Sequence, residues 1–313
     1  MTYRITAGET VEEAFRRIAC EQIDRAAADI DDDGMGLHET VHEVRKRCKK
    51  IRGLLRLVRP GFEGYSDENR WFRNRARDVS DVRDATSLLE CLDALVERYG
   101  DELGQRPFAE VRSWLEHRRD EVTAHTDAAA RLQEIRDQLP AARQRASGWQ
   151  LSKPGIEAVR AGLEKTYRRA RKGMHRAVEE PTAENFHEWR KRTKYYRYHT
   201  RLVSPAWPGV MRALNDEAHR LSDLLGDDHD LAVLRETLVG SDGVSQPLEQ
   251  SALLALLDRR STELRAWSLT LGRRLFRLAP KRQGQWIAGM LAAWESDQRQ
   301  GPPLGEASAR VYS

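Results

Sequence analysis

Apolar residues recur along most of the chain at intervals of three and four, the period of an α-helix, and the two-residue alternation of a strand is almost absent. The pattern predicts helices over Val11–Ala28, Leu37–Val58, Arg70–Tyr99, Phe108–Leu139, Ile156–Val178, Asn185–Val203, Val210–Leu238 and Leu248–Leu278. A last one, Gln283–Gln298, carries Trp286, Met290 and Trp294. Breaks are expected where turn-forming residues cluster: Asp31 to Gly34, Pro60-Gly61, Pro181, Pro205 to Gly209, and Gly240 to Gly243. The fold class read from this pattern is all-α. Pro140 to Gly155, with Ser147-Gly148 and Pro154-Gly155, reads as a mid-chain linker, and the tail from Gly301 reads as disordered.

The chain also repeats itself. HEVRKRCKKIRGLLRLVRP, from His42 to Pro60, aligns without a gap with HEWRKRTKYYRYHTRLVSP, from His187 to Pro205. The likeness extends upstream, where Phe15-Arg16-Arg17 parallels Tyr167-Arg168-Arg169. Downstream, Asp81-Val82-Arg83-Asp84 parallels Asp227-Asp228-His229-Asp230, and Leu115 to Arg118 parallels Leu257 to Arg260. The expected organisation is two copies of one helical bundle, residues 1–147 and 148–300, followed by the tail 301–313.

On a helical wheel, His38, His42, Arg45, Lys49, Arg52 and Arg56 fall within a wedge of roughly 80°. Val41, Val44, Cys48, Ile51, Leu55 and Val58 form the neighbouring stripe. The second copy places His187, Arg190, Lys194, Arg197 and Arg201 on one wedge, beside Phe186, Trp189, Tyr196 and Val203. Each helix thus has an apolar edge for its bundle and an adjoining cationic edge. Like charges one turn apart cost roughly 0.2–0.5 kcal/mol per pair, so an anion is expected to compensate. Lys165, Arg169, Lys172 and Arg176 make a further cationic stripe upstream, and Arg70, Arg73 and Arg77 a weaker one. Converging, these helices would line a groove in which arginine forks grip phosphate oxygens and lysine supplies point charge. The histidines would bind an anion better as pH falls. A single basic face is usually just solvated or paired with acids from a neighbour. What favours a site is that both copies keep His and long cations in register while their surroundings differ, Cys48 against Thr193 and Ile51 against Tyr196.

Composition sharpens this. The net charge is only +4, built from 53 basic and 49 acidic residues, so the signs are segregated rather than scarce. With 40% hydrophobic and 33% charged residues, the chain suits bundles with narrow apolar stripes. Three spaced cysteines give neither a disulfide framework nor metal-ligand spacing. No signal-peptide pattern opens the chain and no apolar run approaches 18 residues, so a cytoplasmic protein without membrane contact is expected.

Asp81, Asp84, Asp227 and Asp230 invite a metal reading, but a helix cap after Gly226 or a carboxylate orienting an arginine of the stripe is favoured. His117, His125, His175, His199 and His219 read as surface or boundary histidines. Tyr167 stands out because it adjoins the upstream cationic stripe. No phosphate loop, nucleophile elbow or HExxH motif is present.

The duplicated histidine and arginine helix, with the VSDVRDATSLL and LLGDDHDLAVL elements, resembles the CHAD proteins, named for histidines in an α-helical domain. The likeness runs from about Glu12 to Leu278. It implies two four-helix bundles related by a pseudo-two-fold axis around a basic cavity that binds inorganic polyphosphate, and association with polyphosphate granules. By that resemblance His42, Arg45, Lys49, Arg52, Arg56, His187, Arg190, Lys194, Arg197 and Arg201 contact the ligand, with Lys165, Arg169 and Lys172 as additions; His38 joins the candidate polyphosphate-binding residues by its place on the wheel. The first copy's upstream helix, with Arg16 and Arg17, is poorer in cations. The expected function is non-enzymatic binding, with no cofactor and no metal. The alternatives are a nucleic-acid-binding protein, disfavoured because the stripes lack interleaved aromatics, and a metal-dependent polyphosphate phosphohydrolase using the Asp elements.

Overall fold

The computed structural model describes residues 3–102, 108–240 and 247–300. The predicted tail, 301–313, and part of the Gly240 to Gly243 break lie outside them. Among the described residues there are eleven α-helices and no strand. In chain order they are α1 (Val11–Asp31), α2 (Leu37–Val58), α3 (Tyr65–Asp78), α4 (Ser80–Tyr99), α5 (Ala109–His125), α6 (Ala128–Ser147), α7 (Gly155–Glu179), α8 (Ala183–Leu202), α9 (Pro208–Val239), α10 (Pro247–Leu275) and α11 (Pro280–Gln300). Short 3-10 turns follow α2, α4 and α8.

Local chemistry sets several of the ends. Thr10 and Glu13 form a reciprocal cap on α1: the Glu13 amide donates to Thr10 Oγ1 at 3.2 Å and the Thr10 amide to Glu13 Oε2 at 2.7 Å. Two predicted long helices are each broken in two. Arg70–Tyr99 divides at Val79, which is fully buried while its neighbours start a new helix. Phe108–Leu139 divides at Thr126-Asp127, where Asp127 accepts from the Ala130 amide at 3.0 Å and caps α6. The apolar spacing hides both breaks because it resumes within a turn. Conversely, Pro140 does not open a linker. It lies inside α6, whose buried positions Leu132, Ile135, Leu139, Ala142 and Ala146 run straight across it.

The apolar residues form three clusters. One joins α1, α2, α3 and α6 with the first half of α7, the end of α8 and parts of α11. A second packs Leu88, Leu92 and Leu95 of α4 with α5 and with Leu231, Leu234 and Leu238 of α9. The third gathers α7, α8 and α9 around Tyr167, Trp189 and Tyr196, all fully buried. The first two mix residues from before and after residue 150, and the third draws on residues after it.

α2 sits at the centre, against α1, α3, α7 and α8. Its closest approach to α7 depends on Gly162, where a Cβ would lie 1.7 Å from the Leu57 carbonyl oxygen. α2 meets α8 at Gly53, where a Cβ would come within 2.8 Å of Tyr198 Cδ2. His199 Nε2 lies 3.0 Å from the Gly53 carbonyl oxygen at the same junction. Gly53 and Tyr198 occupy matching places in the two aligned segments, so the helices touch at equivalent positions.

Candidate cationic site where two helices meet

The junction brings the two cationic edges together. Lys49 on α2 is held among Lys194, Arg45 and Arg190, and Lys194 on α8 among Arg190 and Arg197. Burial, reinforced by Lys194, Arg45 and Arg190, pulls the Lys49 ammonium down to about 7. Burial, with Arg190 and Arg197 beside it, brings Lys194 to about 8. Both lysines are therefore poised to lose their protons near neutral pH.

Internal carboxylates only partly relieve this field. Arg45 donates to Asp84 Oδ1 at 3.3 Å. Among the described residues, Lys49, Arg52, Arg56, Arg190, Lys194, Arg197 and Arg201 form no ion pair. Asp223 and Asp230 contribute at longer range to Lys194, and Asp223 to Arg197. Asp227 and Asp230 are themselves raised, first by burial; Asp230 repels Asp227 further, while Arg190 and Arg83 oppose the rise at Asp230.

The outer ends of the stripes diverge. Arg56 leaves the centre for a cleft lined by Arg59, Lys165, Arg169, Arg192 and Tyr195. Its guanidinium lies 4.0 Å over the Tyr195 ring and Nη1 donates to Asn69 Oδ1 at 2.6 Å, which Arg52 Nε also reaches at 3.4 Å. Burial, then Arg59, lowers Lys165, and burial, then Arg192, lowers Arg169. Arg201 lines a different cleft, with Tyr3, Arg4 and Arg212, and adds to the positive field that, after burial, lowers Lys50 to about 8. The structure thus joins Arg45, Lys49, Arg190, Lys194 and Arg197 in one centre, with Arg52 and Arg56 leading into one wing and Arg201 in the other. Lys165 and Arg169 join the first wing. Lys172 is exposed on α7 and is not among the residues that line that cleft.

The histidines flank the centre. His187 stacks on His229 with ring centroids 3.9 Å apart. Burial, then Lys191 and Arg190, depresses His187 to about 4, and burial, then His187, depresses His229 to about 3. Burial and then Arg83 lower His42, and His38 Nδ1 lies 3.1 Å from Thr86 Oγ1.

Several sequence readings change. α9 runs unbroken through Gly226, so Asp227 caps nothing. Asp228 instead holds Arg265 of α10, outside the stripe, with Nε 2.9 Å from Oδ1. Tyr167 is a buried tie: its hydroxyl donates to the Leu275 and Leu278 carbonyls at 3.1 and 3.2 Å. His199, read as a boundary residue, is fully buried. Residues missed in the sequence are Arg83, Arg59, Arg192 and Tyr195. Arg59 continues the 52, 56 spacing by three and could have been found. Arg192 lies on another face of α8, paired with Glu188 at 3.0 Å, and carried no signal. Among the described residues no group of three or more His, Cys, Asp or Glu side chains is arranged to hold a metal ion, and no helix is long and apolar enough to cross a membrane.

With this geometry in hand, comparison with known proteins places the chain in a class. A family model described as the CHAD domain matches residues 12–239, and the chain belongs to the CHAD-domain family. The crystal structure of the CHAD domain from the plant Ricinus communis is similar with a TM-score of 0.57 and 18% sequence identity, over 88% of this chain and 94% of that one. A comparison with curated proteins gives no match. The fold class expected from the sequence, all-α and CHAD-like, is the one found.

Proposed function

We propose that this protein binds inorganic polyphosphate, without turning it over, across the junction of α2 and α8. The observation that supports this most is the group of Lys49, Lys194 and Arg190, half-buried, mutually repelling and free of ion pairs among the described residues. Burying like charges without partners is unfavourable, and a flexible polymer with one charge per phosphate relieves it along its length. Tyr195, the aromatic side chain in the adjoining cleft, already has Arg56 over its ring, which leaves a poor platform for stacking a base. A cytoplasmic location and association with polyphosphate granules follow from this reading.

Salt tests it. Each phosphate neutralised should contribute about −0.7 to the log–log slope of affinity against salt if the polymer behaves as a single-stranded polyanion. With roughly six phosphates engaged, affinity should fall about 300-fold between about 50 and 200 mM salt. A flat salt profile would reject the proposal. In competition at fixed salt, RNA or DNA displacing long polyphosphate would favour the nucleic-acid reading. Phosphate release with Mg²⁺ or Mn²⁺, lost in Asp227→Ala, would favour the enzyme.

Binding should also take up protons. In the free protein Lys49 and Lys194 titrate at about 7 and about 8, and a polyanion raises both by favouring the charged form. Between the free and bound values the complex holds more protons, so affinity must weaken as pH rises from about 7. Calorimetry at pH 8 in buffers of different ionisation enthalpy should show net proton uptake; proton release would contradict it.

A further inference from the structure

Away from the cationic junction, three large hydrophobic side chains stay in water around one groove. Trp267 is 59% exposed, Leu278 44% and Trp286 40%. With Leu271, Leu275 and Leu224 they line a groove of about 480 Å³ between α9, α10 and the start of α11. Its wall is held in place from beneath, because the Tyr167 hydroxyl binds the Leu275 and Leu278 carbonyls and Gln283 Nε2 donates to the Tyr196 hydroxyl at 2.9 Å. A rigid apolar groove with exposed tryptophans is the usual form of a surface that receives an apolar helix edge.

The charge around it is one-sided. Residues 273–282 read RRLFRLAPKR, five cations with no carboxylate. Arg273, Arg274, Arg277, Lys281 and Arg282 are exposed and form no ion pair among the described residues. Arg274 lines the groove directly, and Glu217 stands on the α9 side. A flat lipid surface would not fill a concavity bounded by two tryptophans, whereas a helix with one apolar face and acidic flanks meets both the floor and the α10–α11 wall.

We propose that this groove docks an acidic amphipathic helix of a partner protein, at a site separate from the polyanion site. The test uses two synthetic helical peptides of about 18 residues that share one Leu/Trp face and carry either Glu or Lys on the polar face. Binding to the full chain is followed by fluorescence anisotropy with long polyphosphate present at saturation, so that the cationic junction is occupied. The expected result is at least about tenfold preference for the Glu peptide, lost in Trp267→Ala/Trp286→Ala, whose helical circular dichroism and polyphosphate binding are unchanged. Exposed Arg273→Glu/Arg274→Glu should narrow or reverse the preference, an independent check if the tryptophan variant folds poorly. Equal binding of the two peptides, displacement by polyphosphate, or full binding by both variants would overturn the proposal. So would a dimer, or binding to anionic vesicles, that the tryptophan variant abolishes, since either assigns the groove to another occupant. Failure of polyphosphate binding alone would leave this result readable, because the peptide preference depends on different residues.

Discussion

Replacing Lys49 and Lys194 together with methionine is expected to make the free protein more stable and the site far weaker. Both lysines lie where burial and neighbouring cations penalise their charge, with no carboxylate in contact. Methionine keeps the aliphatic stem that packs at the junction and removes the unfavourable charge. Replacing poorly compensated buried charge by apolar groups commonly stabilises, so melting should rise by about 3–8 °C. The sign depends on pH. Below about 7 both states of the wild type are protonated and the folded state bears the whole penalty. As pH rises from there toward lysine's ordinary value, the folded protein sheds protons that the unfolded chain keeps, and wild-type stability recovers. The advantage of the variant should therefore be largest at pH 7 and below and shrink by about pH 10. Polyphosphate affinity should fall about 100-fold, the loss of two charge-assisted contacts at the centre of the site. A variant that melts lower and binds equally well would show that these lysines serve packing alone.

Gly162→Ala should act in the opposite way, on the fold first. The added methyl would sit 1.7 Å from the Leu57 carbonyl oxygen and 2.5 Å from its carbon. Backbone atoms cannot rotate aside, so α7 must move off α2 and open the packing of Val159, Leu163 and Leu57, all buried. The cost should reach about 3 kcal/mol or more, the severe end of overpacking, or at least about 6 °C in melting temperature. Gly289→Ala is the control: on α11, nothing lies within 4 Å of its added Cβ, and alanine in a helix should be neutral or slightly stabilising. Equal melting of the two variants would contradict the packing described between α2 and α7. Because α7 carries Lys165 and Arg169 to Arg56 and Arg59, the Gly162 variant should also loosen that wing of the site.

The sequence made the cationic edges legible because helical spacing alone puts Arg45, Lys49 and Arg52 on one side, and the same rule holds for Arg190, Lys194 and Arg197. It could not say that the two edges meet. That follows from Gly53 and Tyr198, whose contact is long-range and leaves no local periodicity. Nor could it say that Arg56 and Arg201 diverge, since each outer arginine is drawn to groups from other helices, Tyr195 for Arg56 and the Tyr3 region for Arg201. The breaks at Val79 and Asp127 were masked by apolar spacing that continued past them, and Pro140 was overweighted because the packing of α6 on α1 tolerates it. Tyr167 and His199 drew the wrong readings for one reason: a polar group beside a basic stripe looks functional or exposed until its buried carbonyl partner is known.

The most direct test sets where the charges lie against how many there are. Polyphosphate affinity should be measured at fixed salt for the wild type, for Arg190→Ala/Arg197→Ala, and for Arg136→Ala/Arg143→Ala, whose arginines are paired on the surface with Asp31 and Asp24. Each double variant removes the same formal charge. A loss of about 100-fold for the first pair and less than about threefold for the second is expected, with helical content retained in both. Equal losses would mean that net charge, and not the meeting of α2 and α8, governs binding.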